Sequence, residues 1–171
     1  MKHNRIVRGL VMILVIVLVV ICVILACPPV RAAECRLEGM PQPTPWEPDP
    51  AEVEMLACAI YNEAGGDACS DLCRYYVGDV ILNRVADPRF PDTIEAVLTA
   101  PGQYGRFSKT GIVWPSRAKN PGEAHAVQRA YDTAYDLLSG NHSELYGAGY
   151  VWQAEFSQGS GFWLDGLYFG K

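Results

Sequence analysis

The sequence predicts an α+β domain that is mostly helical and has a small C-terminal β element. Between residues 49 and 140, apolar residues recur at helical spacing in stretches that begin at capping residues. After Tyr146 this pattern gives way to short aromatic segments separated by glycines, which are typical of strands. The 171 residues are enough for one domain of this kind and leave no room for a second large one.

The first two predicted helices have clear boundaries. Asp49 is the N-cap of the first helix, Pro50 occupies its first position, and Glu52 completes a capping pattern. This helix ends at Gly65–Gly66, and the second begins at Ser70. Residues at helical spacing are expected to face the core: Val53, Leu56, Ala57, Ile60 and Ala64 in the first helix, and Leu72, Tyr76, Val77, Val80, Ile81 and Val85 in the second.

Two further helices and a pair of strands complete the predicted domain. Asp92 caps a short helix that ends before Pro101, and Asn120 caps the longest helix, which Gly140 closes. We expect strands within Tyr150–Phe156 and Phe162–Phe169. Alternation along the first strand places its side chains on two faces: Trp152, Ala154 and Phe156 on one, and Gln153 and Glu155 on the other.

The N-terminal segment is typical of exported proteins. Three basic residues precede an uncharged apolar run, Leu10–Ala26: Lys2, Arg5 and Arg8. This pattern predicts a signal peptide cleaved near Val30–Arg31–Ala32, or an uncleaved membrane anchor. Lipid attachment at Cys27 is a third possibility. In each case we expect the chain that follows residues 1–33 to lie outside the cytoplasmic membrane.

A linker is expected between this segment and the folded domain. Residues 40–50 contain five prolines, which favour an extended, semi-rigid chain. We therefore divide the sequence into the N-terminal segment 1–33, a proline-rich linker at 34–49, and a catalytic domain at 50–171.

The charge of the exported part limits its partners. Residues 34–171 contain 10 basic and 19 acidic residues, a net charge of −9. Nucleic-acid binding is not expected, because it depends largely on neutralising phosphates with basic residues. We expect a monomer that contacts the membrane only through its N-terminal segment.

Four cysteines lie in the exported part: Cys35, Cys58, Cys69 and Cys73. In an oxidising compartment they predict up to two disulfides, with three possible connectivities. Zinc binding is the competing interpretation. The spacing of Cys69 and Cys73 does not fit the usual close pairs, and only His125 and His142 remain outside the N-terminal segment. We therefore expect neither a metal nor a cofactor.

Glu63 is the candidate catalytic residue. On a helical projection it lies roughly 70° from the centre of the apolar stripe, at the rim of the buried face. It also lies in the last helical turn, where the negative end of the helix dipole opposes ionisation of a carboxyl. Both effects raise the pKa, as a general acid at near-neutral pH requires. The alternative is a structural Glu63 that accepts hydrogen bonds from the Gly65–Gly66 turn or pairs with an arginine.

Four motifs occur in order along the chain: ACAIYNEAGGD at 57–67, VGDVILNRV at 77–85, FPDTI at 90–94 and QY at 103–104. Together they resemble the bacterial cell-wall hydrolase family typified by SleB and CwlJ, the spore-cortex-lytic enzymes, over residues 51–170. The resemblance implies a lysozyme-like or lytic-transglycosylase-like fold. It also implies cleavage of the MurNAc–GlcNAc backbone of peptidoglycan.

The resemblance assigns the catalytic role to Glu63, the first acid of a motif usually written E-A-R-G-E. The motif here is EAGGD, so Gly65 replaces the arginine and Asp67 the second glutamate. A single carboxyl is sufficient in the transglycosylase scheme, in which the sugar supplies the second reacting group. If a second acid takes part, Glu155 and Asp67 are the candidates.

Four residues are predicted to bind the glycan: Gln103, Tyr104, Trp152 and Glu155. Gln103 and Tyr104 follow a Pro-Gly turn and offer an amide and an aromatic ring, and the Trp152 indole suits a sugar face. Asn83 and Arg84 are expected to be structural hydrogen-bonding residues. Two alternative functions remain, a peptidoglycan amidase and a noncatalytic wall-binding or assembly factor, and the sequence leaves open whether the wall is spore cortex or vegetative.

Overall fold

The structure is a computed structural model that describes residues 47–66 and 69–171. In this part of the chain the α-helices are α1 (Pro50–Ala64), α2 (Asp71–Ala86), α3 (Ile94–Thr99), α4 (Phe107–Thr110) and α5 (Ala124–Leu138). The strands are β1 (Trp152–Ala154), β2 (Gly161–Leu164) and β3 (Leu167–Gly170). Two short 3-10 turns, Ser116–Lys119 and Pro121–Glu123, precede α5. The predicted α+β, mostly helical class is confirmed.

Helix α1 is the central element of the core. The Asp49 carboxylate accepts a hydrogen bond from the Ala51 backbone N–H at 2.9 Å, so the predicted cap is present. All residues from Leu56 to Tyr61 are buried, because α1 packs against α2, α3 and α5. A helix covered on several sides fixes the direction in which its last turn points, and Glu63 lies in that turn.

Helix α2 begins as predicted, but its first turn differs from the expected pattern. The Ser70 hydroxyl accepts a hydrogen bond from the Cys73 N–H at 3.2 Å. Leu72, expected in the core, is 46% exposed, whereas Arg74 is completely buried. The Arg74 guanidinium donates hydrogen bonds to the backbone carbonyls of Cys69 at 2.6 Å and Gly66 at 3.1 Å. Two of its nitrogen atoms are thus paired with backbone carbonyls, which offsets part of the cost of burying this charged side chain.

Two predicted N-caps are wrong by one or more residues. The N-cap of α3 is Thr93, not Asp92, and its hydroxyl accepts a hydrogen bond from the Ala96 N–H at 3.2 Å. Asn120 precedes the 3-10 turn Pro121–Glu123 without a side-chain capping bond, so α5 begins only at Ala124. Capping patterns located both helices, while tight local turns shifted their starts.

The β element has three strands rather than two. The segment expected to form one strand, Phe162–Phe169, is a hairpin whose turn contains Asp165 and Gly166, with φ of 51° and 84°. This left-handed pair is typical of an Asp-Gly hairpin turn. The sheet is antiparallel in the order β1-β3-β2, so β3 is the middle strand.

The tip of this hairpin is joined to the start of α2. The Asp165 carboxylate accepts hydrogen bonds from the Ser70 N–H at 2.8 Å and the Ser70 hydroxyl at 2.5 Å. On the inner side of the sheet, Phe169 of β3 is fully buried and packs edge-to-face against Tyr76 of α2. The sheet therefore packs against the helical core.

Several predictions fall outside the described residues: the N-terminal apolar segment, most of the linker, and Cys35. Within 47–66 and 69–171, no helix has both the length and the apolar character required to cross a bilayer. Cys58, Cys69 and Cys73 are present as thiols. Burial raises the pKa of the Cys58 thiol to about 11. The disulfide connectivity remains a prediction.

Candidate active site

Glu63 lies on the last turn of α1, between the core and solvent. Its neighbours Tyr61 and Ala64 are fully buried, whereas Glu63 is only partly exposed. Gly65 follows as the C-cap, and a Cβ atom there would overlap the carbonyl oxygen of Tyr61. This backbone therefore requires glycine at the position where the motif that the sequence resembles has arginine.

Two amide side chains hold the Glu63 carboxyl. The Asn62 amide donates a hydrogen bond to Oε1 at 2.8 Å, and the Gln153 amide on β1 approaches Oε2 at 3.5 Å. Within the described residues Glu63 forms no salt bridge. The carboxyl is thus oriented by neutral donors rather than paired with a cation, which contradicts the ion-pair form of the structural alternative.

The surroundings of Glu63 raise its pKa above the ordinary value. Burial is the main cause, and the nearby negative charge of Glu155 adds to it. The hydrogen bonds from Asn62 and Gln153 and the positive charge of Arg84 act in the opposite direction without reversing it. The carboxyl therefore keeps its proton to higher pH than an exposed glutamate does.

Arg84, near the end of α2, lies beside this carboxyl within a set of aromatic rings. Its Nε donates a hydrogen bond to the Val151 carbonyl at 2.6 Å. The guanidinium carbon lies 5.1 Å from the ring centre of Tyr104, 5.6 Å from that of Phe90 and 5.8 Å from that of Trp152. These distances are within the range of cation–π attraction.

Three buried polar atoms around Glu63 have no hydrogen-bond partner among the described residues. They are Arg84 Nη1, Tyr104 Oη and Gln153 Oε1. Buried polar groups in folded proteins are normally paired. Unpaired donors and an acceptor beside a carboxyl mark this group as the candidate site, which we name the Glu63 site: Glu63, Arg84, Tyr104 and Gln153.

The structure brings together most of the predicted site residues. Tyr104 and Trp152 contact Arg84, and Glu155 is close enough to Glu63 to influence its ionisation. Gln103 lies in the turn after α3, and no contact joins its side chain to Glu63 among the described residues. Asp67 is outside the described part of the chain.

Sequence reasoning missed Gln153 and Asn62, and it gave Arg84 only a structural role. The alternation in β1 did separate Gln153 from Trp152, but nothing in the sequence showed which face pointed toward α1. The available signal for Asn62 was its position next to Glu63. Within the described residues, no group of three or more His, Cys, Asp or Glu side chains is arranged to hold a metal ion.

Comparison with known families places the protein among the hydrolases. Residues 70–165, more than half of the chain, match a family model described as Cell Wall Hydrolase. The chain therefore belongs to the cell wall hydrolase family, the SleB/CwlJ-type family. No curated protein and no solved structure matches the chain.

Family membership defines the protein as a hydrolase with peptidoglycan as its substrate and a place of action outside the cytoplasm. The matched region begins after Glu63 and includes Arg84, Tyr104 and Gln153.

Proposed function

We propose that the protein cleaves the glycan strands of peptidoglycan, using Glu63 as a single general acid and base. The observation that carries the proposal is a partly buried carboxyl with a raised pKa, held by neutral amides beside unpaired polar atoms. A general acid must hold its proton at the working pH and stand next to a place where a substrate oxygen can bind. The direction of the pKa shift of Glu63 and the unpaired polar atoms beside it support this assignment.

In the proposed reaction, Glu63 starts protonated. It transfers its proton to the glycosidic oxygen as the bond between that oxygen and C1 of MurNAc breaks. The resulting carboxylate then takes the proton from the MurNAc 6-hydroxyl, whose oxygen bonds to C1 and closes a 1,6-anhydro ring. This step regenerates the acid, so a second carboxyl is not needed. In the muramidase variant, water replaces the 6-hydroxyl and leaves a reducing end.

The neighbouring residues are proposed to hold the glycan. Tyr104 and Gln153 offer unpaired polar atoms, and Trp152 offers an aromatic face. Gln103, in the turn beside Tyr104, is proposed as a further contact. Glu155 is proposed to act through its charge, because it favours the protonated form of Glu63.

Mass spectrometry of digested peptidoglycan sacculi tests this proposal. We expect soluble fragments that end in 1,6-anhydro-MurNAc. Fragments with reducing MurNAc ends would replace the transglycosylase scheme with the muramidase one. Stem peptides released from intact glycan would instead establish an amidase. Retention on the wall without any soluble fragment would establish a noncatalytic wall-binding factor.

Arrival at the wall is proposed to depend on residues 1–33. They are proposed to export the protein as a cleaved signal or to anchor it to the membrane, while the proline-rich linker holds the domain at the wall. Digestion of spore cortex and vegetative sacculi side by side identifies the preferred wall.

A further inference from the structure

The guanidinium of Arg84 is a buried cation without a salt-bridge partner. The residue is only 3% exposed, and it forms no salt bridge with any residue in 47–66 or 69–171. Its Nε is bonded to the Val151 carbonyl, and its Nη1 has no hydrogen-bond partner among these residues. Burying a charge is costly unless another group compensates for it. The hydrogen bond to Val151 and the surrounding aromatic rings leave this charge without an anionic partner among the described residues.

Arg84 and Glu63 approach the same short segment of the chain: Arg84 Nε donates to the Val151 carbonyl at 2.6 Å, and the Gln153 amide approaches the Glu63 carboxyl at 3.5 Å. The charged and titratable groups that act on the Glu63 carboxyl come from three elements: Arg84 on α2, Tyr104 in the turn after α3, and Glu155 after β1. Burial raises the pKa of the Tyr104 hydroxyl, so it stays neutral. Arg84 is the positive charge in this set.

The anchoring of Arg84 keeps it from forming a contact ion pair with Glu63. The Val151 carbonyl at 2.6 Å fixes Nε, and three aromatic rings surround the guanidinium. A contact pair would hold Glu63 ionised and remove the proton that a general acid needs. From its anchored position the cation lowers the pKa of Glu63 without reversing the rise that burial causes.

We propose that Arg84 is a positioning residue that supplies the counter-charge for the Glu63 carboxylate formed during glycan cleavage. The part of this inference that concerns the rate of glycan cleavage rests on the proposed function. The electrostatic coupling between the two side chains does not, so it can be measured separately.

The kinetic test compares three variants by the pH profile of muropeptide release. Arg84→Gln removes the charge, and we expect its alkaline limb to move to higher pH while kcat falls roughly 10- to 100-fold. Arg84→Lys keeps the charge, and its alkaline limb should remain near that of the native protein even if kcat falls. Arg89→Gln is the matched control, since exposed Arg89 pairs with Asp87 and lies 5.8 Å from the same Phe90 ring.

If Arg84→Gln and Arg84→Lys both lose activity and neither moves the alkaline limb, the inference is overturned and the role of Arg84 is structural. The same movement in both variants would also overturn it, because the charge would then be irrelevant. Circular dichroism verifies that each variant is folded before its kinetics are compared.

A titration of the native protein covers the case in which Arg84→Gln does not fold. We expect the Arg84 Nε resonance, followed by 15N NMR, to shift with the same midpoint as the 13C signal of the Glu63 carboxyl. This response should disappear in Glu63→Gln. The coupling is contradicted if the Arg84 resonance does not shift with pH, or if it shifts equally in Glu63→Gln.

These results separate the two proposals. If Glu63→Gln still releases glycan fragments, the proposed function fails, and the NMR titration still decides whether the charges are coupled. If Glu63→Gln is inactive and the titration shows no coupling, only the inference on Arg84 fails.

Discussion

Replacing Glu63 with glutamine is expected to lower the rate of muropeptide release by about 10²- to 10⁴-fold, the usual contribution of a general acid. Glutamine has nearly the same shape, and it can still interact with Asn62 and Gln153. Its amide is not an acid, however, so it cannot transfer a proton to the glycosidic oxygen. The measurement is the release of soluble fragments from purified sacculi under initial-rate conditions.

Glu155→Gln removes a nearby carboxylate, and we expect it to shift the alkaline limb to lower pH, since the negative charge of Glu155 raises the pKa of Glu63. The matched control is Glu95→Gln, which alters an exposed glutamate of α3 and should keep activity near the native level. Undiminished activity in Glu63→Gln, or equal losses in Glu63→Gln and Glu95→Gln, would contradict the assignment.

The raised pKa of Glu63 also determines whether its contribution to the free energy of unfolding rises or falls with pH. Between the ordinary pKa of glutamate and the raised pKa in the folded protein, the native state binds more protons than the unfolded state. The contribution of Glu63 to the free energy of unfolding therefore falls as pH rises through this window. Glu63→Gln removes that loss, so at neutral pH the variant should unfold at the same temperature as the native protein or a higher one.

Replacing Asn83 with alanine is expected to lower the free energy of unfolding by about 2 to 4 kcal/mol, because it removes one buried and two partly buried hydrogen bonds to backbone groups. The Asn83 amide donates to the carbonyls of Leu145 at 2.8 Å and Tyr150 at 2.9 Å, and its oxygen accepts from the Gly147 N–H at 2.8 Å. Urea unfolding followed by circular dichroism measures the change.

Gln128→Ala supplies the comparison for Asn83→Ala. Gln128 also donates a side-chain hydrogen bond, at 2.8 Å to Asp132, but on the exposed face of α5. We expect its removal to change stability by no more than about 0.5 kcal/mol. Similar effects of the two substitutions would show that the bonds of Asn83 are not important for the fold.

Local sequence patterns predicted the helices well because capping depends on adjacent residues. Asp49 and Ser70 act as N-caps as expected, and both bonds lie within three residues. The burial of Arg74 was not predictable in this way, because the carbonyls of Cys69 and Gly66 that accept its hydrogen bonds lie five and eight residues away and meet the guanidinium only in the folded chain. The Asp-Gly pair at 165–166 was a usable hairpin signal, hidden within a continuous aromatic segment.

The position of Glu63 in the candidate site was predictable because it also depends on nearby residues in the sequence. Helical periodicity placed Glu63 at the rim of the buried face, and the structure places it there. Its approach to Gln153 joins residues 90 positions apart, and that of Arg84 to Val151 joins residues 67 apart. Neither pairing follows from spacing along the chain, because both depend on how the sheet packs against α1 and α2.

Because β3 is the middle strand of the sheet, we expect this C-terminal segment to affect the position of Gln153 and, through it, the orientation of Glu63. Gln153 stands opposite Phe169 across the β1–β3 ladder, and Phe162 stands opposite Phe169 from the other side. A shortened or loosened Leu167–Gly170 would leave both flanking strands without a neighbour and free the amide that steadies Glu63. Residues of β3 away from the proposed glycan contacts are therefore expected to affect the orientation of the Glu63 carboxyl.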